Sequence, residues 1–159
     1  MSDALYCRRR FRVLNIIDEG TREALGIVVD TSLPAVRVVR ELEQIKSVRG
    51  VPQRIRVDNG AEMLAQVFID WCDANGIELM YIQHGKPNQN AYIERFKRSY
   101  RTEVLNPYLF VNLNQVRDLS AAWLVSYNEE RPHDSLGRIP PAEFRRQITG
   151  EVSTLKLCA

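Results

Sequence analysis

Apolar and polar positions alternate along 11–18, FRVLNIID. Phe11, Val13 and Asn15 fall on one face and Leu14 and Ile16 on the other. A period of two in β-forming residues predicts a strand with apolar residues on both sides. A polar EGTRE turn leads into ALGIVVD at 24–30, a second strand placed to pair antiparallel with the first. The period then changes. Val36, Val39, Leu42 and Ile45 recur at three- and four-residue steps, which predicts a helix running to about Arg49 with one buried stripe. Thr31 or Ser32 is available to cap it, with Pro34 in its first turn and Gly50 and Pro52 to stop it.

The alternation continues. RIRVDNG at 54–60 predicts a short strand that ends in an Asp-Asn-Gly turn. The segment 63–76 predicts a helix with Val67, Phe68, Trp71 and Cys72 on one face, and 77–83 another strand. HGKPNQNA is a polar loop. In 91–105, Ile93, Phe96, Tyr100 and Val104 share one side of an amphipathic helix, and 113–130 forms a further helix. RPHDSLGRIPPAEF reads as an irregular, proline-containing segment ending in a short helix or turn, with Tyr127, Leu136 and Phe144 among the residues that pack it down. Two antiparallel strands followed by alternating helices and strands imply an α/β fold: a mixed sheet with helices on its faces.

Composition adds bounds. The 159 residues give room for one domain, and 45% hydrophobic with 26% charged residues is ordinary for a soluble globular protein. No apolar run approaches the ~18 residues of a membrane span, and the N-terminus has no secretory h-region. A net charge of +2 is too small to imply nucleic acid. Its distribution is more telling: Arg8, Arg9, Arg10 and Arg12 form one basic cluster, and Lys86, Arg95, Lys97, Arg98 and Arg101 another. Cys7, Cys72 and Cys158 lack zinc-ligand spacing and read as reduced thiols of a cytosolic protein, with Cys72 in the core. His84 and His133 are the two histidines; with no cysteine pair near them a structural zinc site is not expected, and His133 is not expected to be catalytic.

Two carboxylates stand out. Asp58 closes a predicted strand, where reactive groups of α/β sheets collect. Taken alone, it is equally a good turn residue. Glu94 opens a helix, where the dipole favours a carboxylate. Taken alone, it is equally a surface residue pairing with Arg98. Between them lie 35 residues holding one helix and one strand. That unit returns the chain beside its starting strand, so the two acids can face each other. Paired carboxylates suit hard divalent cations, and two such ions about 3.5–4 Å apart support phosphoryl transfer. A third carboxylate is expected from the first strand.

DNGAE around Asp58, GKPNQNAYIERF around Glu94 and YNEERPHDSLGRIPPAEF at 127–144 together resemble the catalytic core of DDE-type bacterial insertion-sequence transposases. The nearest branch is insertion-sequence family three, similar to retroviral integrase cores. SDALYCRRRFRVLNIIDEGTREALGI extends the resemblance over roughly 2–145, leaving 146–159 as a C-terminal tail. The resemblance implies a ribonuclease-H-like fold and DNA cleavage and strand transfer supported by two Mg²⁺ or Mn²⁺ ions. It implies Asp58 and Glu94 as catalytic, metal-binding residues. It also implies DNA contacts from Lys86, Asn88, Gln89, Asn90, Arg95, Lys97, Arg98 and Arg101, the last seven residues after Glu94. DNA, self-association and a helix-turn-helix subunit or domain are the implied partners. The implied location is cytoplasmic, on the nucleoid when bound to DNA.

One departure matters. Aligned with the family, the first catalytic Asp falls two residues before Met1, and the first strand is truncated. Asp3 lies four positions further on, about 13 Å along a strand, too far to substitute. The expectation is a fold with open strand edges that invite dimerisation. Its chemistry is expected to be silent, leaving DNA binding or dimerisation as the alternative role.

Overall fold

The computed structural model describes residues 1–82, 91–148 and 154–158. Its strands are β1 (Ser2–Ala4), β2 (Arg10–Asp18), β3 (Ala24–Asp30), β4 (Arg54–Val57), β5 (Glu78–Tyr81) and β6 (Thr154–Cys158). Its helices are α1 (Ala35–Arg49), α2 (Gln66–Ala74), α3 (Ala91–Tyr100), α4 (Leu113–Glu129) and α5 (Pro141–Gln147). The strands form one mixed sheet, β3–β2–β6–β4–β5 across, with β1 also on β2. This is the mixed, helix-flanked architecture read from the alternation. No helix among the described residues is long and apolar enough to cross a membrane.

Alternation sorts the sheet residues onto two faces. Leu14 and Ile16 of β2, Ile55 and Val57 of β4, and Leu155 and Leu157 of β6 pack with Val38, Leu42 and Ile45 of α1 and Phe68 and Cys72 of α2. On the other face, Ile17 and Cys158 pack with Ile93 and Phe96 of α3 and Tyr127 of α4. Val13 packs with Tyr100, Val104 and Val116. Phe96 meets Trp123 and Tyr127 edge-on, with ring centroids 5.2 and 4.9 Å apart.

Four local expectations are corrected. α1 begins after Pro34 in extended conformation, without a side-chain cap from Thr31 or Ser32. Its buried stripe is Ala35, Val38, Leu42 and Ile45, while Val36 is exposed. Val39, three residues before Leu42, packs partly buried against the same cluster as expected, and Val38, four before it, is fully buried. In α2, Phe68 and Cys72 are buried and Val67 is exposed. α3 does not run unbroken to residue 105. It widens into a π turn at Arg101–Leu105, where the Asn106 N–H reaches the Arg101 carbonyl at 2.8 Å. The wider turn lets the adjacent Val104 and Leu105 both enter the core.

The largest correction concerns the first strand. Truncation is expected to leave the edges of its neighbours open. Instead β6 lies between β2 and β4, antiparallel to the first and parallel to the second. On β2, Ser2 pairs with Arg12 and Cys158 pairs with Asn15. Met1 exchanges backbone hydrogen bonds with Val13 at 2.8 and 2.9 Å. β6 and β1 therefore run in the same direction, one behind the other, in a single lane beside β2.

Candidate carboxylate site and basic cavity

The position opposite Asn15 in that lane is two places before Met1. The resemblance sets the first acid there, and Cys158 occupies it. Along β4, Ile55 and Val57 enter the core. Arg56 and Asp58 therefore face the opposite side, toward α3. Val57 pairs with Leu157, which brings Asp58 beside Cys158. Asp58 Oδ1 accepts the Gly60 N–H at 3.1 Å, the turn bond expected of an Asp-Asn-Gly sequence. Its Oδ2 accepts the Cys158 S–H at 2.7 Å. Gly60 leaves little room for a side chain, because a Cβ there would stand 3.0 Å from Asp58 Oδ1 and 3.2 Å from the Glu62 carboxyl, and one of them would have to give way. Glu62 completes the turn motif, but its carboxylate is engaged by Arg12 at 2.6 Å.

Glu94 sits in the first turn of α3 and is half exposed. One turn later Lys97 points inward, with its side chain 15% exposed. Its ammonium donates to Glu94 Oε1 at 3.3 Å and to the Cys158 sulfur. Asp58, Cys158, Lys97 and Glu94 thus form one connected chain. Burial pushes the Cys158 thiol up to about 11, and the Lys97 charge pulls it back in part. The sulfur is therefore a neutral donor to Asp58 at neutral pH. Burial works against the Lys97 charge, but Cys158 and Glu94 outweigh it and hold the ammonium above its ordinary value.

This set does not fit a pair of hard cations. Mg²⁺ wants near-octahedral oxygen ligands. Here a thiol proton faces Asp58 and an ammonium faces Glu94. Among the described residues, no group of three or more His, Cys, Asp or Glu is placed to hold a metal. Asn15, buried beside Cys158, leaves its Oδ1 without a partner among the described residues, and its Nδ2 reaches only the Met1 sulfur at 3.6 Å.

The expected DNA contacts separate into groups. Lys86, Asn88, Gln89 and Asn90 lie outside the described residues. Lys97 faces the interior. Arg101 is held by Asp3 at 3.1 Å and by the Ser2 carbonyl at 2.8 Å. Arg95 and Arg98 are exposed. Arg95 also lines a cavity of about 150 Å³ with Arg22, Arg131 and His133. Sequence reasoning missed this cavity and the placement of Cys158. The signal for Lys97 was present, since it follows Glu94 by three residues on a helix.

Two family models, both described as an integrase core domain, match residues 2–87 and 75–141. Over 142 residues the chain is 46% identical to the uncharacterized 39.2 kDa protein of insertion element IS476 from Xanthomonas euvesicatoria, covering 89% of this chain and 41% of that protein. The chain thus spans less than half the length of that relative. Among solved structures, a chain of the simian T-cell lymphotropic virus intasome in complex with PP2A regulatory subunit B56 gamma superposes with a TM-score of 0.76 at 16% identity, covering 95% of this chain and 54% of that one. The HTLV-2 integrase catalytic core in complex with magnesium superposes with a TM-score of 0.59 at 17% identity, covering 91% of this chain and 90% of that one. At these identities the likeness is one of fold, the ribonuclease-H-like fold of retroviral integrase cores.

Proposed function

Because the chain belongs to the integrase core domain family, we propose that it is the DNA-processing core of an insertion-sequence transposase whose chemistry is silent in this chain. The family reaction calls for metal-dependent cleavage and joining of DNA strands. A divalent pair, held by three carboxylates, would stabilise the attacking and leaving oxygens. Asp58 and Glu94 are the two carboxylates of that set. The observation that carries the reading is the chain of contacts from Asp58 through Cys158 and Lys97 to Glu94. A neutral thiol stands at the third corner, and an ammonium neutralises the glutamate. DNA, a second copy of the chain and a helix-turn-helix subunit or domain for end recognition complete the proposal.

Nicking of supercoiled plasmid in Mn²⁺ tests it. The expected result is no nicking by the chain and metal-dependent nicking by Cys158→Asp. The gain is expected to disappear when Asp58→Asn or Glu94→Gln is added. Nicking by the unaltered chain that Asp58→Asn abolishes would overturn the silence. The second reading, a DNA-binding module, is favoured by the exposed Arg95 and Arg98 on α3. It expects salt-sensitive, sequence-independent binding of duplex DNA by anisotropy.

A further inference from the structure

At the end of the sheet where β2 turns into β3, cations outnumber the acids available to them. The acids of that turn are already engaged. Glu19 binds Arg56 at 3.0 Å and Lys156 at 3.3 Å. Glu23 binds Arg49 at 2.7 Å and Arg145 at 3.2 Å. Asp18 accepts the Gly20 N–H at 2.8 Å. Arg22 sits at φ +62°, a left-handed conformation that non-glycine residues rarely adopt. Its guanidinium carbon lies 3.4 Å from the centre of the Tyr92 ring, and its Nη1 donates to the Glu19 carbonyl. Its Nε is buried with no partner among the described residues.

His133 faces the same cavity. Its ring stands edge-on to Tyr127 at 4.9 Å, and its backbone N–H donates to the Ile139 carbonyl at 3.1 Å. Its Nε2 is buried and likewise unpartnered among the described residues. Arg95 and Arg131 complete the rim over a floor that includes Ile17 and Phe96. Arg131 is shared with Glu103. Asp134, also on the rim, is exposed and lies 3.6 Å from Arg138. The cavity, about 150 Å³, is far larger than the ~10–15 Å³ that one water needs. A left-handed backbone at Arg22, two buried nitrogens without partners among the described residues, and three guanidiniums lining one cavity with apolar residues are the features of a site arranged for a ligand.

We propose that Arg22, Arg95, Arg131 and His133 form a binding site for a phosphate group. Guanidiniums match phosphate oxygens in geometry and charge, and the apolar floor strengthens the attraction by excluding water. The phosphate can come from a nucleic-acid backbone or from a small phosphorylated ligand. The site uses neither Asp58 nor Glu94, so it stands or falls separately from the metal chemistry proposed above.

The test is NMR of the full chain, following the His133 ring. The chain has two histidines, and His133→Gln identifies the signal. Inorganic phosphate is expected to move the His133 resonances saturably and to raise the ring's titration midpoint. Sodium chloride at matched ionic strength is expected to do neither. Arg22→Gln and, as a second variant on an exposed helix position, Arg95→Gln are each expected to weaken phosphate about tenfold. A short DNA duplex that moves the same signal and displaces phosphate supports a backbone source. Phosphate binding that DNA does not displace supports a small ligand. The proposal is overturned if chloride reproduces the shift, if both arginine variants bind like the parent, or if neither phosphate nor DNA moves the signal.

Discussion

The two ends of the sheet face beneath α3 are built in opposite ways. At the Asp58 end the charged groups and the thiol are tied to one another: thiol to carboxylate, ammonium to thiol and to the second carboxylate. At the β2–β3 turn, three guanidiniums and a histidine converge, and two of their nitrogens find no partner among the described residues. The first end is closed by its own side chains. The second is poised for an anion supplied from outside. A common floor serves both, since Phe96 packs with Cys158 and also lines the cavity. A family resemblance directs attention to the carboxylates, yet the basic end holds two buried nitrogens on cationic or titratable side chains with no partner among the described residues.

Phe96→Ala attacks the shared floor and has the largest expected effect. Removing a side chain 2% exposed and packed on two aromatic rings is expected to cost about 3–5 kcal/mol in a denaturant melt. A loss below 1 kcal/mol would mean that the two regions do not share a packed support. Lys97→Gln breaks the closed end. It leaves the Cys158 sulfur and Glu94 without their cation and is expected to cost about 1–3 kcal/mol. Arg95→Gln at the poised end is expected to stay within about 0.5 kcal/mol, because its side chain is exposed. Equal losses from the two variants would erase the contrast.

Acid titration probes the poised end more gently. Burial lowers the His133 ring below its ordinary 6.5, and Arg131, Arg95 and Arg22 lower it further, against Asp134, which raises it. Tyr127, the other titratable ring facing it, is pushed up to about 12 by burial and stays neutral. The unfolded chain then binds a proton more readily than the folded one. Stability is full above pH 6.5 and falls as pH drops through 6.5 toward the lower folded value. Melting temperatures of the parent and His133→Gln, compared from pH 7.5 to 5, are expected to diverge below 6.5, with the variant flatter. The smallest effect is kinetic. Cys7 is exposed while Cys72 and Cys158 are buried, so one thiol is expected to react fast with Ellman's reagent and two slowly. Fast reaction of Cys158 would place β6 outside its lane.

The pattern of the chain carried most of the fold. β2, β3 and α4 appear within one residue of their expected bounds, because long amphipathic periods are strong signals. The buried face of α3, with Ile93, Phe96 and Tyr100, was likewise legible. β6 was not. TLKLC is five residues with a lysine at its centre, and a buried lysine is costly unless paired. Lys156 finds Glu19, 137 positions away in the sequence, a partner that no local pattern reveals. Asp58 was legible as a strand-end acid, but its neighbour Cys158 lies 100 residues away and meets it only through sheet pairing. The basic cavity draws Arg22, Arg95 and His133 from three separate segments for the same reason.

Electron paramagnetic resonance of Mn²⁺ gives the most direct test of the claim that Cys158 holds the third corner of the carboxylate site. The parent chain is expected to bind Mn²⁺ weakly, and Cys158→Asp at least tenfold more tightly, since it replaces a thiol proton with an oxygen ligand. The same variant without metal is expected to melt lower than the parent, because two carboxylates then face each other, and Mn²⁺ is expected to restore it. Adding Asp58→Asn is expected to abolish the gain. Equal Mn²⁺ affinity in the parent and Cys158→Asp would contradict the account and remove Cys158 from the site.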